Sequence, residues 1–118
     1  MNGTILVVDD DADCLQVVLQ ACNMSGAVIQ SASNGEDALR LLQEDTTSLL
    51  LTDLEMPDMN GFQLASEAKA LRPDLRIVMM TGNLPPEKEH LIAEAGIEGI
   101  LEKPFTVTKL KKVLGLEL

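Results

Sequence analysis

The chain has 118 residues, enough for one compact domain that can bury a core without disulfides or a structural metal. A hydrophobic share of 46% and a charged share of 24% exclude a disordered chain, and the aliphatic core must do without Trp or Tyr, with Phe62 and Phe105 as the two aromatics. A net charge of −10 argues against direct binding to nucleic acid or to an anionic membrane and favours a cationic ligand or a basic partner.

Ile5-Leu6-Val7-Val8 is a continuous run rich in β-branched residues, the pattern of a strand covered on both faces, and it ends in Asp9-Asp10-Asp11. Leu15, Val18, Leu19 and Cys22 then recur at helical spacing up to a stop at Gly26. Cys14 and Cys22 lie about 12 Å apart along that helix, at ~1.5 Å per residue, too far to bridge, which predicts reduced thiols. Ala27-Val28-Ile29 reads as a second strand, and Asn34 as the cap of a helix with Ala38, Leu41 and Leu42 on one face. A third strand, Ser48 to Thr52, ends at Asp53. Pro57 and Asn60-Gly61 mark the loop after it.

A helix with Phe62, Ala65, Ala68 and Leu71 on one face stops before Pro73. Leu75 to Met80 is the fourth strand, ending at Thr81. Pro85-Pro86 opens a helix with Glu87 and Glu89 in its first turn, which Gly96 ends. Ile97 to Leu101 reads as a weaker fifth strand, interrupted at Glu98-Gly99 and leading to Lys103-Pro104. Val107, Leu110, Val113 and Leu114 give the last helix, with Lys109, Lys111 and Lys112 as its solvated face. Met79 and Met80 are expected in the core, Met56 and Met59 beside the site loop, and Asp58 and His90 at the surface.

Strict alternation of five strands and five helices implies a doubly wound α/β fold, a five-stranded parallel sheet with helices on both faces. In such sheets ligands bind beyond the carboxyl ends of the strands. Those ends deliver Asp9 and Asp10, Asp53, Thr81 and Lys103 to one edge. Clustered carboxylates repel, and a hard divalent cation, Mg²⁺ above all, relieves the repulsion through oxygen ligands and retained waters. With a lysine and a hydroxyl added, the set suits phosphoryl transfer to a carboxylate. This reasoning leaves open which aspartate accepts the group. Asp11 and Asp13 read as capping or surface acids.

Four segments now carry a resemblance: Ile5 to Asp11, Leu51-Thr52-Asp53-Leu54-Glu55-Met56-Pro57-Asp58-Met59-Asn60-Gly61, Thr81-Gly82 and Lys103-Pro104-Phe105. Together, in order and at matching spacing, they make residues 1–118 resemble the receiver domain of two-component response regulators. The resemblance implies a flavodoxin-like strand order 2-1-3-4-5. It makes Asp53 the phosphoacceptor. Mg²⁺ would be bound by Asp10, by Asp9 directly or through water, by Asp53 and by the backbone carbonyl of Glu55. Thr81 would be the switch hydroxyl, and Lys103 the ion-pair partner ahead of a cis proline bond. Glu55 and Asn83 would tune the phosphoryl lifetime. The donor would be a phosphohistidine on a sensor histidine kinase or a histidine phosphotransfer protein, the output partner is unspecified, and the location would be cytoplasmic.

One position departs from the pattern. The family usually carries Tyr or Phe three residues before the lysine, where this chain has Ile100, which has no ring to swing; the resemblance therefore leaves output through the face of helix four, strand five and helix five open, unless it relies on backbone movement, and Ile100 also reads simply as a β-branched residue of a buried strand. Met1 to Thr4 lack the basic stretch of a secretory signal, and no apolar run reaches the roughly 18–20 residues that would insert in a membrane. The chain reads as a stand-alone regulator or as the receiver of a longer protein such as a hybrid histidine kinase.

A competing enzymatic reading is a haloacid-dehalogenase-type phosphohydrolase with Asp9 as nucleophile and Asp11 two residues on. It lacks the acidic pair after the lysine, where only Glu117 follows Lys112, and it leaves the Asp53 segment unexplained. A pseudo-receiver is disfavoured because every site residue is present. A dinucleotide fold is disfavoured because no Gly-rich fingerprint follows strand one.

Overall fold

The computed structural model describes residues 4–23, 28–44 and 47–114. Five strands, β1 (Thr4–Val8), β2 (Val28–Ala32), β3 (Thr47–Asp53), β4 (Arg76–Thr81) and β5 (Gly99–Glu102), alternate with α1 (Ala12–Asn23), α2 (Gly35–Glu44), α3 (Gly61–Leu71), α4 (His90–Glu94) and α5 (Val107–Leu114). The strands form one parallel sheet in the order β2-β1-β3-β4-β5, as expected. A parallel sheet needs a crossover between neighbouring strands, and the helices supply it on both faces.

Strand alternation divides the core in two. Leu6, Val8, Leu50, Ile77 and Met79 point to one face and pack with Ala38 and Leu42 of α2 and Leu64, Ala65 and Ala68 of α3. Ile5, Val7, Leu49, Leu51, Val78, Met80 and Leu101 point to the other, against Val18 and Ala21 of α1 and Leu110 of α5. Met79 and Met80 are both fully buried, and each serves a different face.

Several boundaries differ from the sequence expectation. β2 runs on to Ala32, while Ala27 and the Gly26 stop lie outside the described residues, as does the side chain of Cys22. β5 starts at Gly99, which pairs with Val78, so Glu98 precedes the strand and Gly99 opens it rather than interrupting it. Ile97 lies before it and is buried on the α2–α3 face. The Pro85-Pro86 helix is a single 3₁₀ turn, Pro86–Lys88, followed by the short α4. Pro86 pushes the residue before it out of the helical region, so Pro85 is extended (φ −62°, ψ 140°) and the turn begins only at Pro86. Gly96 does end α4, at φ +77°.

On α3, Leu71 is 45% exposed and Leu64 is fully buried in its place. On α5, Val107 is 42% exposed, and Lys111 is buried rather than solvated, beside Leu110 on the inward side; Lys109 and Lys112 are exposed as expected. A lysine stem is apolar enough to be covered in this way. His90 is exposed and sits 3.7 Å from Glu94.

Candidate functional site

The sheet register sets the site. Val8 lies opposite Thr52, Asp53 opposite Met80, and Thr81 opposite Glu102. Asp9, Asp53, Thr81 and Lys103 therefore leave the same edge on four adjacent strands. Backbone bonds hold the edge: Asp9 N–H donates to Ala32 O (3.2 Å), Leu54 N–H to Met80 O (3.0 Å) and Lys103 N–H to Thr81 O (2.9 Å). The Lys103-Pro104 peptide is cis, as the resemblance implied.

Lys103 Nζ donates to Asp53 Oδ1 at 3.1 Å and to Asp9 Oδ2 at 3.2 Å. Asp9 and Asp53 are buried, while Asp10 is exposed. One oxygen from each of these three carboxylates lies within 4.8 Å of the others. Three carboxylates against one ammonium leave a local charge of −2. Burial raises the Asp53 carboxyl above its ordinary value; the Lys103 hydrogen bond pulls it back, and the charges of Asp9 and Asp10 push it further up. Burial works against the Lys103 ammonium, but the hydrogen bond and charge of Asp53, and then the charge of Asp9, outweigh it and hold the amine protonated above its usual range.

The acids next along are capped locally. Asp9 Oδ1 accepts the Asp11 N–H (2.9 Å), and Asp11 Oδ1 accepts the Asp13 N–H (3.0 Å) as α1 begins. Thr81 is buried, and its hydroxyl donates to Asn83 O (3.1 Å) and accepts the Asn83 N–H (3.2 Å). Glu55 lies two residues after Asp53 with its side chain exposed. Ile100 is half-buried opposite Met79 and borders a hollow of about 460 Å³ with Thr81, Leu84 and Ile92.

The sequence reading marked Asn60-Gly61 as a loop signal and Cys14 as a reduced thiol, but not the contacts these residues make. Gly61 lets α3 approach the end of β3: a Cβ there would lie 2.6 Å from Asp53 O and 2.9 Å from Leu54 Cα. Asn60 and Gln63 form a reciprocal capping box at 2.9 Å in each direction, a pattern that the Asn-x-x-Gln spacing announces. Cys14 is a free, half-buried thiol of α1; burial, and then its hydrogen bond to Asp9, push it up to about 12.

The family model of the response regulator receiver domain matches residues 5–115. The chain belongs to this family. The receiver domain is 36% identical over 114 residues to the autoinducer 1 sensor kinase/phosphatase LuxN of Vibrio harveyi, an alignment that covers 97% of the chain and 13% of that protein. It is 35% identical over 117 residues to the DNA-binding transcriptional regulator NtrC of Rhizobium meliloti, covering 99% of the chain and 24% of that protein. It thus spans a quarter or less of these relatives. Among solved structures it superposes on the chemotaxis protein CheY4 of Vibrio cholerae with a TM-score of 0.92 and 28% identity, over 98% of both chains. Receiver domains are phosphorylation-based regulatory switches of two-component systems, supplied by histidine kinases, and are not classical enzymes. Among the described residues, no helix is long and apolar enough to cross a membrane.

Proposed function

We propose that Asp53 is the phosphoacceptor of this receiver domain, taking its phosphoryl group from the phosphohistidine of a sensor histidine kinase or a histidine phosphotransfer protein in the cytoplasm. The observation that carries the reading is the Asp53 carboxylate at a strand end, 3.1 Å from the Lys103 ammonium and beside Asp9 and Asp10. Three hard carboxylates with a net charge of −2 fit a divalent cation, and Asp10 keeps the cluster open to solvent. Asp9, Asp10, Asp53 and the backbone carbonyl of Glu55 would hold Mg²⁺. When bound, the ion neutralises negative charge on the cluster and on the transferring phosphoryl oxygens.

The chain's own residues do the rest. One Asp53 oxygen attacks phosphorus in line as the phosphorus–nitrogen bond to the donor imidazole breaks, and the bonding electron pair leaves with the imidazole nitrogen. Lys103 turns from the free carboxylate to the new phosphoryl oxygens, which need its charge more. Thr81 exchanges its bond to Asn83 O for a bond to a phosphoryl oxygen, and the loop carrying Asn83 follows. Glu55 and Asn83 flank the acyl phosphate and orient the water that later hydrolyses it. Residues 1–118 act as one receiver unit in this reading.

The test is phosphorylation with acetyl phosphate and Mg²⁺, read by intact mass. One phosphoryl group that requires Mg²⁺ and disappears in Asp53→Asn is the expected result. An adduct that persists in Asp53→Asn and disappears in Asp9→Asn would move the nucleophile to Asp9 and favour the hydrolase reading.

A further inference from the structure

Two adjoining hollows of about 530 and 550 Å³ share Asn60, Phe62 and Lys88 and make one groove. It runs between α3 with its preceding loop and the segment formed by the 3₁₀ turn and α4. Its floor is apolar and rich in sulfur: Met56 and Met59 are half-buried, Phe62 is buried, and Leu91 closes the far side. Its rim is charged and unbalanced. Glu55, Asp58 and Glu67 are exposed around it against the single Lys88.

These features select an occupant. An apolar floor of this size suits several side chains from one face of a helix rather than a small polar ligand. Unbranched methionines adapt to the shape that arrives. The acidic rim, on a chain of net charge −10, rejects an acidic segment and attracts a basic one. We propose that the groove docks a basic amphipathic segment of a partner protein, with its apolar residues on Met56, Met59 and Phe62 and its cations on Glu55, Asp58 and Glu67. The proposal stands whether or not Asp53 accepts phosphate, because the groove is formed in the unphosphorylated protein.

The experiment uses the full chain labelled at the methionine methyls and three synthetic peptides: a Leu/Lys amphipathic helix, a Leu/Glu counterpart and a Ser/Lys peptide of equal charge. The Leu/Lys peptide is expected to shift the Met56 and Met59 methyl resonances saturably, with the Leu/Glu peptide inert and the Ser/Lys peptide much weaker. The double variant Asp58→Asn/Glu67→Lys changes two exposed residues and keeps a residue tolerant of the φ of 69° at position 58, so it should fold normally. It is expected to weaken Leu/Lys binding by about tenfold. Three results each overturn the proposal: Met56 and Met59 unmoved at saturating Leu/Lys peptide, equal binding of the Ser/Lys peptide, or unchanged affinity in the double variant.

Discussion

Asp53 carries a carboxyl that burial pushes upward, with Lys103 pulling it back and Asp9 and Asp10 adding to the push. A carboxyl raised above its unfolded value of 3.8 takes up a proton more readily in the folded chain. Its stabilising contribution is therefore full below that pH and is lost as pH rises through the raised folded value. At neutral pH the buried charge is a cost, so Asp53→Asn is expected to raise Tm by a few degrees, the scale of about 1 kcal/mol in a small domain. The gain should fade as the pH is lowered toward 4, which calorimetry over a pH series would show; a gain independent of pH would contradict this account. Lys103→Ala removes what holds Asp53 down. The carboxyl should move further up in a carbon-13 titration, and phosphorylation by acetyl phosphate should slow by roughly 10²–10³-fold. That Asp9, Asp10, Asp53, Thr81 and Lys103 come to one sheet edge was legible in the sequence, because each lies at or just after the end of an apolar run. The pairing of Thr81 with Asn83 and the burial of Lys111 were not, since nothing local encodes which way a hydroxyl turns or which lysine stem is covered.

Between β3 and α3 the chain must turn within a few residues, and the turn is built from backbone contacts. Gly61 N–H donates to Leu54 O at 2.8 Å, and the glycine has no room for a Cβ against Asp53 O. Both crowding atoms are main-chain and cannot swing aside. Gly61→Ala should cost about 1–3 kcal/mol in urea unfolding and also slow phosphoryl acceptance, because the shift falls on the Asp53 backbone. Asn60→Ala loses the capping box and should cost about 1 kcal/mol with less effect on chemistry; an equal effect of both on chemistry would argue against direct backbone coupling at Gly61. Strands and helices were readable wherever periodicity ran for two turns or more. The segment from Pro85 to Gly99 was harder, because two prolines, a five-residue helix and a glycine-led strand leave too little pattern for either period to emerge.

For the molecule as a whole, the main electrostatic influence on stability is self-repulsion at a net charge of −10. Sodium chloride raised from about 0.05 to 0.5 M shortens the screening length from more than 10 Å to a few ångströms and should increase the urea midpoint. Mg²⁺ at matched ionic strength should add a further increase that Asp10→Asn diminishes, since a ligand bound only by the folded state stabilises it. No difference between Mg²⁺ and sodium at matched ionic strength would remove the case for a cation site.

By itself the sequence determined the class of fold, the alternation of elements and the residues that close each strand, because apolar periodicity and strand-end acids are local properties of the chain. Tertiary structure alone decided that Lys103 bridges Asp9 and Asp53, that α3 rests on the β3 backbone at Gly61, and that an acid-rimmed groove opens beside α3. Those arrangements depend on sheet register and helix placement, which bring together residues as many as 94 positions apart.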